Sequence, residues 1–136
     1  MSKVIPVNEE FRFDKDVIIS QTDLDGTITY VNRAFCTVSG YLADELVGQQ
    51  HNIIRHPDMP KGVFKKMWET IKGGQAWNGL IKNLRKDGHY YWVETEILPI
   101  RNEENIITGF IAARKSASHK DIIETEETYK KMLETE

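Results

Sequence analysis

Two Asp-Gly pairs, Asp25-Gly26 and Asp87-Gly88, constrain the fold of this chain more than any other feature of its sequence. Each pair lies between segments rich in β-branched and aromatic residues: "VIISQT" and "TITYVN" around the first, "AWNGLIKNLRK" and "HYYWVETEILPIRN" around the second. Asp-Gly readily adopts the positive backbone φ angles that a tight hairpin turn requires. The sequence therefore predicts two antiparallel hairpins, and "NIITGFIAARKS" supplies a fifth strand.

Helical patterns occupy the segment between the two hairpins. "RAFCTVSGY" predicts a helix that stops at Gly40, and "LADELVG" predicts a further short helix that ends at Gly48. In "KGVFKKMWETIKGG" the apolar residues recur at the spacing of one helix face: Val63, Phe64, Met67, Trp68 and Ile71. This order of elements predicts an α+β domain, a five-stranded antiparallel sheet with short helices on one face.

The two ends of the chain differ in character from this domain. Residues 1–16 lack a clear period and are interpreted as an N-terminal cap, and the domain proper is assigned to residues 17–117. Residues 118–136 predict an outgoing C-terminal helix with Ile122, Tyr129 and Leu133 near one face. We expect this helix to carry a signal.

Composition limits the classes of function. With 136 residues and a net charge of −3, the chain fits one domain and has no basic excess for binding nucleic acid. A single cysteine, Cys36, rules out an internal disulfide framework and suits a reducing compartment. No apolar run approaches the roughly 20 residues of a membrane span. We therefore expect a cytoplasmic protein without a membrane segment.

Three stretches carry a family resemblance. "DLDGTITYVNRAFCTVSGYLADELVG" and "RKDGHYYWVETEILPIRNEENIITGFIAARKS" resemble the opening and closing parts of PAS domains. Between them, "HNIIRHPDMPKGVFKKMW" is similar to the FAD-binding PAS domain of aerotaxis receptors. The resemblance implies a PAS fold, FAD as cofactor, and a non-catalytic redox or oxygen sensor for energy taxis.

The same resemblance implies the residues of the site and the partner. Arg55, His56 and Asp58 match the element that holds FAD, and four more positions match the lining of the pocket: Asn32, Phe64, Trp77 and Asn83. The implied partner is a chemoreceptor signalling or HAMP-type domain, in the same chain or a separate one. Such a receptor would hold the protein at the inner face of the membrane. Homodimerisation through the tail or the cap is compatible with the sequence.

Alignment with LOV photoreceptor domains tests one further mechanism. It puts His51 where those domains carry the cysteine that forms the flavin adduct, and Cys36 lies on an earlier helix. The adduct chemistry is therefore not expected. The same alignment puts Arg114 where LOV domains have a glutamine beside the reactive edge of the flavin. A permanent positive charge there would favour negatively charged flavin forms.

Side-chain chemistry explains how such a site would work without a glycine loop. The sequence has no G-x-G-x-x-G spacing, so Arg55, with its five donors, is the candidate to neutralise the diphosphate. The indole of Trp77 is suited to stack on a ring of the cofactor. The amide of Asn83, in a predicted strand, can both donate to and accept from a flavin edge.

Several of these assignments have structural alternatives. Asp58 is also a candidate N-cap of the helix that starts near Pro60, and Asn32 is a candidate N-cap of the helix that follows it in "RAFCTVSGY". His51 and His56 are five residues apart, a spacing unlike that of the common helical metal pair.

Two other functions remain open. One is a haem-binding PAS gas sensor that uses His51, His56, His89 or His119 as axial ligand. The other is a ligand-free PAS interaction module. No nucleophile-base pair stands out, so an enzyme is not expected.

Overall fold

The computed structural model describes residues 4–136 and contains one mixed domain. The strands are β1 (Ile18–Thr22), β2 (Ile28–Val31), β3 (Trp77–Leu84), β4 (Tyr90–Arg101) and β5 (Ile107–Ser116). The helices are α1 (Arg33–Ser39), α2 (Ala43–Leu46), a 3-10 turn (His51–Ile54), α3 (Lys61–Lys72) and α4 (His119–Thr135). The strands form one antiparallel sheet in the order β2-β1-β5-β4-β3. The predicted α+β class and its five strands are confirmed.

Both Asp-Gly pairs form the turns that the sequence predicts. Gly26 and Gly88 have φ angles of 84° and 93°, a region that side chains with a Cβ rarely occupy. In the first turn the Asp23 carboxylate accepts hydrogen bonds from the backbone N–H groups of Asp25 and Thr27. These contacts fix the two hairpins that bracket the helical segment.

The inner face of the sheet is covered by α1, α2, the 3-10 turn and α3. One apolar cluster joins these helices to the sheet through residues such as Phe35, Leu46, Ile54 and Val93. A second, smaller cluster consists of Met67 and Ile71 of α3 with three sheet residues: Ile97, Phe110 and Ala112. Space remains between helices and sheet beside these clusters, and the candidate site lies there.

The C-terminal helix does not lead away from the domain, so that prediction was wrong. α4 instead lies against the outer face of the sheet, where the ring of Tyr129 stacks on Trp92 with 6.2 Å between centroids. The Tyr129 hydroxyl donates a hydrogen bond to the carbonyl of Leu80 (2.5 Å). Because these contacts bury a large aromatic surface, the docked position is favoured over a solvated helix.

The last residue of the chain extends this docking. The carboxylate of Glu136 accepts hydrogen bonds from the backbone N–H groups of Lys61 and Gly62, at 3.0 and 2.9 Å. These are orphan donors at the start of α3, which a carboxylate satisfies well. A hydrogen bond thus connects the last residue of the chain to the start of α3, 74 residues earlier in the sequence.

The N-terminal segment follows the β3–β4 hairpin. Val7 and Phe11 donate backbone hydrogen bonds to the carbonyls of Gly88 and Tyr90. This placement fits the predicted cap, whose first three residues lie outside the described part. Within residues 4–136, no helix is both long and apolar enough to cross a membrane.

Candidate functional site

A cavity of about 380 Å³ lies between α3 and the inner face of the sheet. Its size falls within the range of small-molecule sites, about 300–1,000 Å³. The wall formed by the sheet comes from the inward-facing rows of four strands: Ser20, Thr22, Ile81, Asn83, Thr95, Ile97, Phe110, Ala112 and Arg114. The opposite wall includes Arg55, Phe64, Met67, Trp68 and Ile71.

The segment from Gln49 to Arg55 crosses the inner face and positions two polar side chains in the cavity. At one edge of the sheet, Ile28 donates a backbone hydrogen bond to the carbonyl of Gln49 (2.9 Å). At the other edge, Arg55 forms an isolated antiparallel bridge with Asn83 of β3. Because both ends are held by the backbone, His51 and Arg55 are fixed as cavity-lining residues.

Arg114 is the most unusual residue of the cavity. Only 4% of it is exposed, and its Nη2 donates to Ser20 Oγ (3.0 Å) and to His51 Nε2 (2.7 Å). Its Nη1 is buried without any hydrogen-bond partner among the residues described. Burial lowers the pKa of Arg114 to about 10, so the guanidinium remains charged at neutral pH. This buried cation of the cavity wall therefore has one donor atom without a partner.

His51 is held neutral at this position. Burial, followed by the positive charge of Arg114, lowers the pKa of His51 to about 3. Because Arg114 donates to Nε2, the imidazole proton resides on Nδ1. The sequence-based placement of His51 at the site agrees with its position in the cavity wall.

Arg55 and Phe64, both predicted site residues, form one unit. The Cζ atom of Arg55 lies 3.8 Å from the centroid of the Phe64 ring, a cation–π contact. Burial lowers the pKa of Arg55. Of the lining residues, Arg55, Lys72 and Arg114 are cationic, and Asp25 is the one carboxylate, which gives the described lining a net charge of +2.

Asn83 also lies in the cavity wall, where 3% of it is exposed. Its backbone is bridged to Arg55, and its side chain faces the cavity side of β3 beside Tyr91. Burial raises the pKa of Tyr91, so the phenol stays neutral at physiological pH. The amide of Asn83 is thus a buried polar group of the cavity wall beside Arg55.

His56 and Asp58 do not line the cavity, although they follow Arg55 closely. The backbone N–H of Asp58 donates to Nδ1 of His56 (3.0 Å), and Lys82 donates to the Asp58 carboxylate (3.0 Å). Lys82 in turn lies 4.4 Å from the ring centroid of Tyr90, which is on the outer face. Their neighbours place both residues at the edge of the sheet, where they act as structural partners.

The N-cap prediction for Asp58 is wrong. α3 begins after Pro60, whose side chain has no capping hydrogen bond, because proline carries no acceptor. The distant carboxylate of Glu136 satisfies the first N–H groups instead.

Asn32 also lies outside the cavity, and its N-cap alternative is confirmed. Its Oδ1 accepts hydrogen bonds from the N–H groups of Phe35 (3.0 Å) and Ile19 (3.1 Å). Its Nδ2 donates to the carbonyl of Val17 (2.8 Å). With three bonds to backbone groups, the amide joins α1 to β1 and has little capacity left for a ligand.

Trp77 is on the inner face but does not line the cavity. Its ring is folded over Gly79, where a Cβ atom would lie 2.5 Å from the indole. The side chain is partly buried against both apolar clusters. The predicted stacking role therefore has no support from this position.

Sequence reasoning did not assign most of the other lining residues to the site, among them Ser20, Lys72 and Thr95. Thr95 is 1% exposed, and its Oγ1 has no hydrogen-bond partner within residues 4–136. A signal was present, because Thr95 is the polar member of an inward row with Val93 and Ile97. The described residues contain no group of three potential metal ligands.

Comparison with known proteins agrees with this geometry. The family model described as "PAS fold" matches residues 28–114. The chain is 44% identical to the aerotaxis receptor of Escherichia coli over 117 residues, which are 86% of this chain and 23% of that protein. It is 32% identical to the nitrogen fixation regulatory protein of Klebsiella pneumoniae over 102 residues, 75% of this chain and 21% of that protein.

A solved light-oxygen-voltage domain, studied with a flavin analogue, has the same fold. Its TM-score is 0.70 at 23% identity, covering 82% of this chain and 86% of that one. The chain spans less than a quarter of the length of the two curated relatives. The strand order of the sheet and the helices on its inner face agree with the match to the family model. The chain belongs to the PAS-fold family and is a relative of the aerotaxis receptor.

Proposed function

We propose that this chain is an FAD-binding redox sensor module that transmits the state of its flavin to a chemotaxis signalling partner. One observation carries the proposal: the buried, charged guanidinium of Arg114 has a free Nη1 in the wall of the cavity. A buried charge without full hydrogen bonding is costly, so natural proteins retain it where a ligand completes the bonding.

The residues present fit FAD in two respects. Arg114 offers a donor, and Asn83 an amide, to a planar ring that carries carbonyl oxygens and acceptor nitrogens on one edge. The net charge of +2 in the lining offsets a diphosphate of about −2. When bound, FAD supplies a group that accepts and returns electrons.

Each part of the wall then has a role. Arg114, held by His51 and Ser20, would orient the ring, and Asn83 would hold it from β3. Arg55 and the exposed Lys72 would meet the anionic tail, since both line the cavity as cations. His51, being neutral, adds no charge that would compete with Arg114.

The relatives support the proposed output. The similarity to an aerotaxis receptor favours energy taxis as the process, with a chemoreceptor signalling or HAMP-type domain as partner. Such a partner would place a cytoplasmic sensor near the inner face of the membrane. α4 contacts both the sheet and the start of α3, so it is the candidate element for output, and homodimerisation through it remains part of the proposal.

The alternatives receive less support. For a haem sensor, His51 is the histidine in the cavity wall, and its Nε2 already accepts from Arg114. His56, His89 and His119 do not line the cavity. For a ligand-free module, the free donor of Arg114 has no purpose. A non-catalytic role stays a prediction.

Purification of the chain from flavin-replete cells tests the proposal. We expect a yellow protein whose released ligand has the mass of FAD. Arg55→Gln should lower FAD occupancy about tenfold, since a charged hydrogen bond contributes about 1.5–3 kcal/mol. Arg33→Gln, a matched change at an exposed arginine of α1, should leave it unchanged. A colourless folded protein that takes up no FAD would contradict the proposal.

A further inference from the structure

Thr95 is a second buried polar group of the cavity wall that lacks a partner. It is 1% exposed, lies in the middle of β4, and lines the cavity. Its Oγ1 makes no hydrogen bond with any residue of the described chain. Threonine is common in strands, but a hydroxyl that is fully buried is normally paired.

The register of the sheet explains why no protein group satisfies this hydroxyl. Thr95 is opposite Gly79 on β3, which has no side chain. It is opposite Arg114 on β5, and no atom of that guanidinium lies within hydrogen-bond distance of the hydroxyl. The backbone groups of β4 are used by ladders on both sides. Within the described residues the hydroxyl has no hydrogen-bond partner, and it belongs to a residue of the cavity wall.

Two buried polar atoms without a partner thus occur at one cross-strand position. Thr95 and Arg114 are direct partners in the β4–β5 register, and the free atoms are Thr95 Oγ1 and Arg114 Nη1. The neighbouring wall is apolar and includes Ile97 and Ala112. By contrast, Ser20 on the same face is satisfied, because it accepts from Arg114 Nη2.

We infer that Thr95 and Arg114 form a donor pair that recognises one acceptor-bearing edge of the ligand, with Thr95 as a specificity-determining contact. This inference rests on the proposed function for the identity of the ligand, FAD. The pair selects a planar ring with adjacent acceptor atoms, such as a carbonyl oxygen next to a ring nitrogen. A ring that presents only donors at this edge would leave the guanidinium of Arg114 unsatisfied and would bind weakly.

Thr95→Val is the sharpest test because valine keeps the shape and removes the hydroxyl. In the ligand-free protein an unsatisfied hydroxyl destabilises, so Thr95→Val should raise the thermal midpoint. The same variant should bind FAD about 3- to 10-fold more weakly, as expected for one lost hydrogen bond. It should also shift the absorption bands of the bound flavin. Thr95→Ser, which keeps the hydroxyl, should retain both the affinity and the spectrum.

The outcomes separate the two proposals. If the wild-type chain takes up no FAD, the proposed function fails and the donor pair fails with it. If wild type binds FAD and Thr95→Val matches its affinity and spectrum, the donor pair is wrong and the proposed function stands. If Thr95→Val lowers the midpoint of the ligand-free protein or prevents folding, the hydroxyl has a structural partner, and the inference is overturned.

Discussion

The two faces of the sheet differ in the hydrogen bonding of their polar groups. On the outer face and its edge, Lys82 is paired with Asp58, and the Tyr129 hydroxyl is bonded to a backbone carbonyl. On the inner face, Arg114 and Thr95 each leave a buried atom without a partner. Both faces are packed against helices, so burial alone does not explain the difference.

The contrast identifies what each face is for. The pairing of Lys82 and of the Tyr129 hydroxyl on the outer face gives stability, because these groups are satisfied within the protein. Incomplete pairing on the inner face lowers the stability of the domain without a ligand, and under the proposed function it leaves donors that FAD would bind. Substitutions on the outer face should therefore affect mainly unfolding, and those on the inner face mainly ligand binding.

Trp92→Ala should have the largest effect on stability. Trp92 is 5% exposed beneath α4 and stacks on Tyr129. Loss of a buried aromatic ring costs about 3–5 kcal/mol of unfolding free energy, measurable by urea denaturation. Leu98→Ala is the control, because Leu98 is 42% exposed and should lose less than about 1 kcal/mol. Equal losses of unfolding free energy in the two variants would show that the packing of α4 on Trp92 does not stabilise the domain.

Arg114→Gln should weaken FAD binding by about 10- to 100-fold. The reason is that a hydrogen bond to a charged group contributes about 1.5–3 kcal/mol. The free energy of unfolding of the ligand-free protein should change little, because a poorly satisfied buried charge is removed together with its bond to Ser20. Fluorescence titration with FAD and urea denaturation measure the two quantities. If Arg114→Gln lowered the free energy of unfolding but left the affinity for FAD unchanged, Arg114 would have a structural role and would not bind the ligand.

His51 should contribute acid sensitivity. The folded pKa of His51 is about 3, below the ordinary value of 6.5, so between these values the unfolded chain binds the additional proton. Its contribution to stability is present above pH 6.5 and is lost as the pH falls toward 3. Urea unfolding between pH 6 and about 4 should be less pH-dependent in His51→Gln, by up to about 1.4 kcal/mol per pH unit.

The control for this pH dependence is His119→Gln, since His119 is exposed at the start of α4. In that variant the free energy of unfolding should depend on pH as strongly as in the wild type. A slope in His51→Gln that equals the wild-type slope would show that His51 titrates normally in the folded protein.

Glu136→Gln should have the smallest effect. The change removes the charge at the start of α3 but keeps an acceptor, so we expect a loss of about 0.3–1 kcal/mol and faster proteolysis of α4. Glu134→Gln, an exposed neighbour, is the matched control. Identical proteolysis of the two variants would mean that the carboxylate does not hold the helix.

The local features of the fold were predictable from the sequence, and the long-range ones were not. Asp25-Gly26 and Asp87-Gly88 specify their turns within a few residues, and so does the apolar face of α3. The docking of α4 depends on Trp92 and Tyr129, which are 37 residues apart and have no local pattern in common. The contact between Glu136 and α3 spans an even longer separation.

The residues of the candidate site were also only partly predictable from the sequence. His51, Arg55, Phe64, Asn83 and Arg114 were predicted and all line the cavity. His56 and Asp58 were assigned to the site with Arg55 because all three match the Arg-His-Pro-Asp element of the family, but of the three it is Arg55 that lines the cavity. Asn32 is used entirely by the backbone. Thr95 was missed because threonine is an ordinary strand residue, and only its unmet hydrogen bond distinguishes it.

A crystal structure of the chain grown with FAD tests the central claim most directly. The account predicts the flavin ring in the inner-face cavity, with an acceptor atom within about 3.2 Å of Arg114 Nη1 and the diphosphate beside Arg55. A ring bound on the outer face, or a cavity filled by the protein's own side chains with Arg114 Nη1 still unpaired, would contradict it.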